Sequence, residues 1–383
     1  MIKLAMEIRT LAIFIPFGIV FFYTGIIINL IQATCFLIIR PVSKNLFRTI
    51  NEAVADNLWL LIVWVLDWWS GFKVQLYTDM ETYRLIGKEH AFLMPNHMCD
   101  TDILMMWLLA QRFGCLRSAL MVVKKSSKYL PIYGWAIWFF GFVFLDRSWE
   151  KDEQKLKSSF QELQDFPRPF WLTMFVEGTR MTPVKLLEAQ EFAASRGLPV
   201  PRHVLIPRTK GFVAAVKYMR SFVPAVYDIT VAVPKGHAVP SLLSICNRQP
   251  SEVKIHIKRY SMKELPESDA SIAQWCRDRF VEKDAMLEKF QAEGRFGDQK
   301  IPDAGRSLKS LLVCITCTCT TYFGIYKFCK MFSLLSTWKG NGILAAGLAM
   351  AVLFLHILFE YTKLPQRSLV AAETNEKKKK KLN

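Results

Sequence analysis

The stretch from Pro95 to Asp102, Pro-Asn-His-Met-Cys-Asp-Thr-Asp, is a polar island between two apolar runs. Before it, Ala91 to Met94 is typical of the end of a short buried strand. After it, Ile103 to Leu109 favours a mostly buried helix. A strand that passes into a helix through Pro-Asn-His places the imidazole of His97 on a loop at the rim of a sheet.

Two acidic residues follow His97 closely enough to serve its ring. If the whole stretch were helical, Asp100 at i+3 would be a neighbour of His97, whereas Asp102 at i+5 would point roughly 140° away. If His97 lies in a loop and the helix begins after it, Asp102 stands in the first turn and can reach back to the imidazole. Spacing alone favours Asp100 and leaves Asp102 open.

The region from about residue 71 to residue 294 alternates short apolar runs with amphipathic segments, which predicts an α/β fold. We expect a mixed, largely parallel sheet with flanking helices. The strand candidates are Ala91–Met94, Trp171–Val176, Val204–Pro207, Val226–Val233 and the alternating Val253–Ile257. The helix candidates are Lys151–Asp165, Val184–Arg196 ending at Gly197, and a helix that a capping box of Ser271 and Gln274 opens and Gly294 ends.

Composition points to a membrane rather than to nucleic acid. The chain has 383 residues, 52% of them hydrophobic, and a formal net charge of +17. Its cations lie beside apolar segments, as expected at lipid headgroups, and no zinc-finger spacing or RNA-binding aromatic signature occurs. The nine cysteines imply no disulfide framework, and Cys314-x-x-Cys317-x-Cys319 lies in an apolar run without a nearby His, so we predict no metal site.

Apolar segments at both ends predict membrane helices. Leu11 to Ile39 is 29 residues without a charge, more than the ~20 needed to cross a bilayer. Leu58–Ser70, with four Trp residues and an interrupting Asp67, suits a membrane interface better than a span. Ser310–Tyr326 and Gly340–Phe359 are read as two spans, or as a re-entrant or partly interfacial pair because lysines lie between them.

These patterns divide the chain into four parts. We expect an N-terminal membrane anchor and interfacial segment at 1–70, a catalytic domain at 71–300, C-terminal membrane helices at 301–363 and a basic tail at 364–383.

Four blocks in order resemble the glycerolipid acyltransferases, and within them the lysophosphatidic acid acyltransferases of the plant endoplasmic reticulum. The first is His97-x4-Asp102, and the third is Phe175-Val-Glu-Gly-Thr-Arg180. The second comprises Lys124-Lys125, Leu130–Trp135 and Phe144–Trp149, and the fourth is Leu205–Phe212. The resemblance covers roughly residues 10 to 295. One departure is that close relatives tend to carry Arg-Ser-Asp-Ile-Asp after the His, where this chain has Met-Cys-Asp-Thr-Asp.

The resemblance implies a fatty acyl transfer from acyl-CoA, as co-substrate, to the sn-2 hydroxyl of lysophosphatidic acid, with no cofactor and no metal. It implies His97 as the general base and Asp102 as its partner. Its other implied site residues fall into two groups. Those for the acceptor and the cleft are Glu177, Gly178, Thr179, Arg180, Arg147 and Pro207. Those that would contact CoA or lipid headgroups are Lys124, Lys125, Lys128 and Lys210.

Two other functions stay open at this point: acyl transfer to another lysophospholipid or to glycerol 3-phosphate, and a catalytically silent lipid-binding scaffold. The C-terminal Lys380-Lys381-Leu382-Asn383 resembles a dilysine retrieval signal. Such a signal works only on the cytosolic tail of an endoplasmic-reticulum membrane protein. Together with the apolar segments, it leads us to expect a multi-pass protein with its catalytic domain and C-terminus in the cytosol.

Overall fold

The computed structural model describes residues 2–249, 251–302 and 305–362. Twelve α-helices lie in these ranges: α1 (Ile2–Ile38), α2 (Lys44–Trp64), α3 (Met80–Leu85), α4 (Asp102–Arg112), α5 (Tyr133–Phe140), α6 (Trp149–Gln161), α7 (Pro183–Ser195), α8 (Thr209–Met219), α9 (Leu242–Cys246), α10 (Asp269–Glu293), α11 (Leu308–Met331) and α12 (Trp338–Thr362). Eight strands lie among them: β1 (Lys73–Tyr77), β2 (Ala91–Pro95), β3 (Ala119–Lys124), β4 (Val143–Leu145), β5 (Trp171–Thr173), β6 (Ala225–Ala232), β7 (Glu252–Ser261) and β8 (Lys300–Ile301).

The strands form one sheet in the order β4-β3-β5-β2-β6-β7-β1-β8. From β4 to β6 every neighbour is parallel, whereas β7 is antiparallel to β6, and β8 is antiparallel to β1. Every residue of β2 and β6 is buried, as expected for parallel strands that helices cover on both faces. The predicted mixed, largely parallel sheet is therefore confirmed, and the carboxyl ends of β2, β3, β4 and β5 share one edge.

Two local predictions are wrong. Val204–Pro207 is not a strand: the Val204 and Leu205 amides donate to the carboxylates of Asp284 and Glu177 rather than to a neighbouring strand. Side-chain acceptors thus satisfy a buried apolar segment that a β-like sequence pattern assigns to the sheet. The capping box also fails, because α10 begins at Asp269 and Ser268 caps it by accepting from the Ser271 amide. Gly294 ends this helix with a φ of +71°, as predicted.

The apolar ends of the chain are helical. Among the described residues, three segments are long and apolar enough to cross a membrane: Ile15–Ile38, Lys44–Trp69 and Leu308–Met331. In the second of them, α2 continues through a π-helical turn at Val65–Trp69. Trp338–Phe354 is a shorter apolar helical segment. The predicted N-terminal and C-terminal membrane stretches thus coincide with helices, and the number of spans stays a prediction. The basic tail from residue 364 lies outside the described residues.

Ion pairs of buried carboxylates join the segment from α2 to Trp69 to the sheet domain. Glu52, Asp56 and Asp67 each meet an arginine from outside this segment: Arg168, Arg117 and Arg112, at 2.7, 2.9 and 2.5 Å. Leu58, Trp59 and Leu61 of the same helix are fully buried in the main hydrophobic core. The predicted interfacial stretch Leu58–Ser70 is therefore part of a helix that packs on the sheet domain, and its placement relative to the bilayer stays a prediction.

We expect Asp67→Ala to destabilise the fold by about 3–5 kcal/mol, because it removes the carboxylate from a nearly buried guanidinium. Asp67 accepts two hydrogen bonds from Arg112 and a third from the Ser307 amide, at the start of α11. Chemical unfolding of the detergent-purified protein measures the loss. The matched control is Glu293→Ala, which breaks an exposed pair with Lys289 and should cost less than about 1 kcal/mol. Equal losses in the two variants would contradict the assignment.

Candidate active site

The functional residues expected from the sequence gather where the parallel strands end. His97 follows β2, Lys124 ends β3, Arg147 follows β4, and Glu177 to Arg180 follow β5. Because these strands are parallel and adjacent, their carboxyl ends face the same side of the sheet, which is where open α/β sheets bind ligands. The sheet therefore brings together motifs that are distant in the sequence.

Asn96 replaces backbone pairing at the point where β2 ends. Pro95 has no amide hydrogen, so the strand cannot continue its ladder in the ordinary way. The Asn96 side chain instead accepts from the Val231 amide at 2.7 Å and donates to the Val231 carbonyl at 3.1 Å. These two hydrogen bonds hold the chain against β6 at Asn96, and the next residue, His97, lies in the loop beyond the end of β2.

His97 Nδ1 lies 2.8 Å from Asp102 Oδ2. Asp102 is the first residue of α4 and is fully buried, and the same oxygen accepts from the Met98 and Cys99 amides at 2.6 and 2.9 Å. His97 therefore lies in a loop, and Asp102 reaches back to it from the first turn. Asp100 is instead within electrostatic reach of Arg180, and burial raises the pKa of its carboxyl group.

This contact decides which ring nitrogen can act as a base. A carboxylate beside Nδ1 holds the proton on that nitrogen and leaves the lone pair of Nε2 to accept another proton. The ring lies against Phe175, with their centroids 4.3 Å apart, and the His97 side chain keeps 16% of its surface exposed. Asp102 thus fixes the orientation of the imidazole, while part of the His97 side chain stays exposed to solvent.

Cys99 is a site residue that sequence reasoning treated only as a departure from close relatives. Its Sγ donates to the second oxygen of Asp102 at 3.0 Å. Burial, followed by the charge of Asp102, raises the pKa of this thiol well above its usual value, so the thiol keeps its proton. Both oxygens of Asp102 therefore accept hydrogen bonds from the loop that carries His97.

Glu177 is buried and holds the backbone of two loops. One carboxylate oxygen accepts from the His97 amide at 2.7 Å, and the other accepts from the Leu205 amide at 2.9 Å. The Met181 amide in turn donates to the His97 carbonyl at 2.8 Å. Burial raises the pKa of Glu177 to about 8, against the opposing effects of the two amides and of the Lys283 charge. The resemblance implies contact of Glu177 with the acceptor, and that contact stays a prediction.

A cluster of four cations lies around the turn after β5: Arg147, Arg180, Lys185 and Arg208. Burial, and then the charges of the three arginines, lower the pKa of the Lys185 ammonium, while the charge of Glu188 raises it. Lys185 Nζ donates to Thr179 Oγ1. Gly178 adopts a φ of +71°, and a Cβ there would lie only 2.8 Å from the Arg208 side chain. Like charges held this close favour binding of an anion.

Lys185 and Arg208 are members of this cluster that the sequence reasoning did not single out. Arg208 lies inside the fourth block, which could have identified it. Thr182 caps α7 by accepting from the Lys185 amide. The position of Lys185 near the start of this helix is the only feature of the sequence that could have pointed to its place in the cluster.

The remaining predicted residues have other contacts. Lys125 pairs with Asp146 at 2.7 Å, and the ammonium groups of Lys128 and Lys210 lie over the rings of Trp138 and Trp149. Lys124 is half-buried at the end of β3. Pro207 is buried and lines a cavity of about 110 Å³ between the 198–207 loop and α10. Binding of CoA or lipid headgroups by these residues stays a prediction.

Comparisons with known proteins agree with this geometry. A family model described as "Acyltransferase" matches residues 73–233, and one described as "Acyltransferase C-terminus" matches residues 244–317. The chain is 54% identical over 347 residues to 1-acyl-sn-glycerol-3-phosphate acyltransferase 2 of Brassica napus, covering 91% of this chain and 89% of that protein.

More distant relatives carry the same activity name. The chain is 47% identical to 1-acyl-sn-glycerol-3-phosphate acyltransferase 3 of Arabidopsis thaliana, covering 96% of this chain and 97% of that protein. It is 38% identical to the gamma enzyme of Homo sapiens, covering 76% of each chain. The resemblance inferred from the four blocks is thereby confirmed: the chain belongs to the 1-acyl-sn-glycerol-3-phosphate acyltransferase family.

Proposed function

We propose that the protein transfers a fatty acyl group from acyl-CoA to the sn-2 hydroxyl of 1-acyl-glycerol-3-phosphate, which gives phosphatidic acid and CoA. The observation that carries this proposal is the contact of His97 Nδ1 with Asp102 at the same sheet edge as the four-cation cluster. A base for a hydroxyl and cations for a phosphate are the two groups that this acceptor requires. The family names supply the acceptor and the reaction class.

In the first step, Nε2 of His97 takes the proton of the acceptor hydroxyl while its oxygen forms a bond to the thioester carbonyl carbon. Positioned proton transfer of this kind is typically worth roughly 10²–10⁴ in rate. The negative charge of Asp102 stabilises the imidazolium that results. When the tetrahedral intermediate collapses, the C–S bond breaks and the imidazolium returns the proton to the departing thiolate, so that no acyl-enzyme forms. Acyl-CoA is the co-substrate, and the reaction as proposed requires no cofactor or metal.

The four-cation cluster would bind the phosphate of the acceptor. Arg147, Arg180 and Arg208 offer forked donors, and Lys185 adds a point charge. Burial first, and then the charges of the three arginines, lower the pKa of Lys185, and an anion placed among these groups would offset their mutual repulsion. The acceptor would then be held by its phosphate at one end, with its hydroxyl at His97.

Glu177 would act as a positioning residue. Glu177 accepts a hydrogen bond from the His97 amide, and the Met181 amide donates to the His97 carbonyl. The peptide units on both sides of the base are thereby tied to the turn that carries Arg180. The distance between base and phosphate site is then set by one short loop.

Several apolar helices are compatible with membrane association. We propose the endoplasmic reticulum membrane as the location, with a multi-pass topology and a cytosolic catalytic domain, because the four sequence blocks resemble those of plant endoplasmic-reticulum enzymes and apolar helices lie on both sides of the sheet domain in the sequence.

The test of the function is formation of phosphatidic acid from acyl-CoA and lysophosphatidic acid by the purified protein in vesicles. Other lysophospholipids and glycerol 3-phosphate are added as competitors. We expect lysophosphatidic acid to be the preferred acceptor. Preference for a competitor would replace the proposed acceptor, and no transfer to any of them would favour a lipid-binding scaffold.

Three variants test the base and its partner. We expect His97→Ala to abolish transfer and Asp102→Asn to lower kcat by on the order of 10³–10⁴, because the amide no longer holds the imidazole in the required tautomer. Asp100→Asn is the matched control and should keep kcat close to the wild-type value, since Asp102 rather than Asp100 contacts the ring and the charge of Asp100 acts on Arg180. Steady-state kinetics on variants with wild-type thermal stability measure the effects. Loss of activity in Asp100→Asn but not in Asp102→Asn would identify Asp100 as the partner of His97 instead.

Removal of Lys185 tests the phosphate site. A charge-assisted hydrogen bond is worth about 1.5–3 kcal/mol, so Lys185→Ala should raise the KM for lysophosphatidic acid roughly 10- to 100-fold. The KM for acyl-CoA should change little. Lys217→Ala, on the exposed side of α8 where Lys217 pairs with Asp269, is the control. A rise in the KM for acyl-CoA instead would assign the cluster to the CoA phosphates.

Stability should depend on pH through Glu177. The unfolded carboxyl group loses its proton near its usual value of 4.5, whereas the folded one keeps it up to about 8. Between these values the folded state binds more protons, so its stability falls as the pH rises through this window. Glu177→Gln cannot titrate, and we expect the gap in melting temperature between wild type and this variant to narrow from pH 5 to pH 9. A constant gap would show that Glu177 is ionised throughout.

A further inference from the structure

Exposed aromatic rings cluster on α5 and the loop before it. Tyr129, Trp135 and Trp138 are 73%, 55% and 37% exposed. The eight residues of α5 contain no charged side chain, and the opposite side of the helix, with Gly134, Ala136, Ile137 and Phe140, is buried against the protein. A helix that is apolar on both sides has no polar face to present to solvent.

This helix lies along α1. Asn29 donates from its side chain to the Ile132 carbonyl at 2.9 Å, and Gly25 packs directly on Ile132. Further along, the Phe36 ring lies 5.3 Å from that of Trp138. The contacts run from residue 25 to residue 36 of α1, about 16 Å of helix. All of them fall inside Ile15–Ile38, a segment long and apolar enough to cross a membrane.

The outward sides of the two helices have the same character. Ile27, Leu30 and Ile31 of α1 are 57%, 64% and 41% exposed. Two cations border the aromatic rings: Lys128 Nζ lies 4.7 Å from the centre of the Trp138 ring, and Arg40 lies 4.9 Å from that of Phe36. Trp and Tyr beside Lys and Arg are typical of residues at the boundary between acyl chains and anionic headgroups.

We propose that Tyr129 and α5 form, together with the exposed side of α1 from Ile27 to Ile38, one surface that contacts the lipid bilayer, with Trp135 among the acyl chains. The occupant is lipid rather than a second copy of the chain, because the surface continues a candidate membrane-crossing segment and cations border its aromatic rings, as at anionic headgroups. The catalytic domain would then enter the membrane surface through its own residues, beyond the terminal helices.

This surface is connected to the candidate active site by packed rings. On the buried side of α5, Tyr133 lies 6.0 Å from Trp107 of α4, and Phe140 lies 5.5 Å from Trp59, which stacks on Trp107 at 4.6 Å. The first residue of α4 is Asp102. The helix that supplies the partner of His97 is therefore supported from the side that faces the bilayer, which suits a substrate that stays in the membrane.

The test places an environment-sensitive fluorophore on the surface. The full-length chain with Cys35, Cys317 and Cys319 replaced by Ala receives Trp135→Cys, and the nitrobenzoxadiazole-labelled protein is reconstituted into phosphatidylcholine vesicles. We expect blue-shifted emission, and at least twofold quenching when the acyl chains carry bromine. Tyr129→Cys provides a second label if Trp135→Cys does not fold. The control label at Lys289→Cys, an exposed position of α10, should show neither effect.

Two results would overturn the proposal. One is emission and quenching at both surface positions equal to those at residue 289, which would place α5 in water. The other is energy transfer between labelled copies with no quenching by brominated lipid, which would assign the surface to a second copy of the chain. Because neither readout involves acyl transfer, their outcome is independent of the proposed activity.

Discussion

The carboxylate of Asp102 fixes the geometry on which the rest of the site depends. It accepts from His97 Nδ1, from two backbone amides and from the Cys99 thiol, all within the six residues 97–102. A buried carboxylate needs such donors to remain charged, and the loop needs such an acceptor to satisfy its amides. The charge also lies at the start of α4, where the helix dipole favours it. One interaction therefore sets the loop conformation, the helix start and the tautomer of the base.

The parallel arrangement of the strands turns this local motif into a site. The base, the buried Glu177 and the cations belong to segments that follow different strands, and adjacency of those strands is what brings them together. Glu177 then couples two of the loops through their amides. The cations and the imidazole thus lie at the same edge of the sheet.

Sequence reasoning could predict the sheet class and the position of His97, because a buried strand followed by Pro-Asn-His has few other solutions. Spacing alone could not choose between Asp100 and Asp102, since the start of α4 depends on the hydrogen bonds that Asp102 itself accepts; only the resemblance implied Asp102. Val204–Pro207 was misassigned for a similar reason: its amides are satisfied by Glu177 and Asp284, which are distant in the sequence. Lys185 escaped notice because a lysine on an amphipathic helix is ordinary until three arginines from other segments surround it.

The ion pairs between the second helix and the sheet domain bear on where the protein can be cut. A boundary near residue 70 looks natural by composition, yet removing the preceding residues would strip Arg112, Arg117 and Arg168 of their carboxylates and uncover the pocket that Trp59 fills. The remaining fragment would carry arginines without their carboxylate partners beside exposed apolar surface, and we expect it to aggregate. The segment from α2 to Trp69 is thus an integral part of the packed enzyme, and a water-soluble fragment would have to be made by redesigning the surface that it covers rather than by truncation.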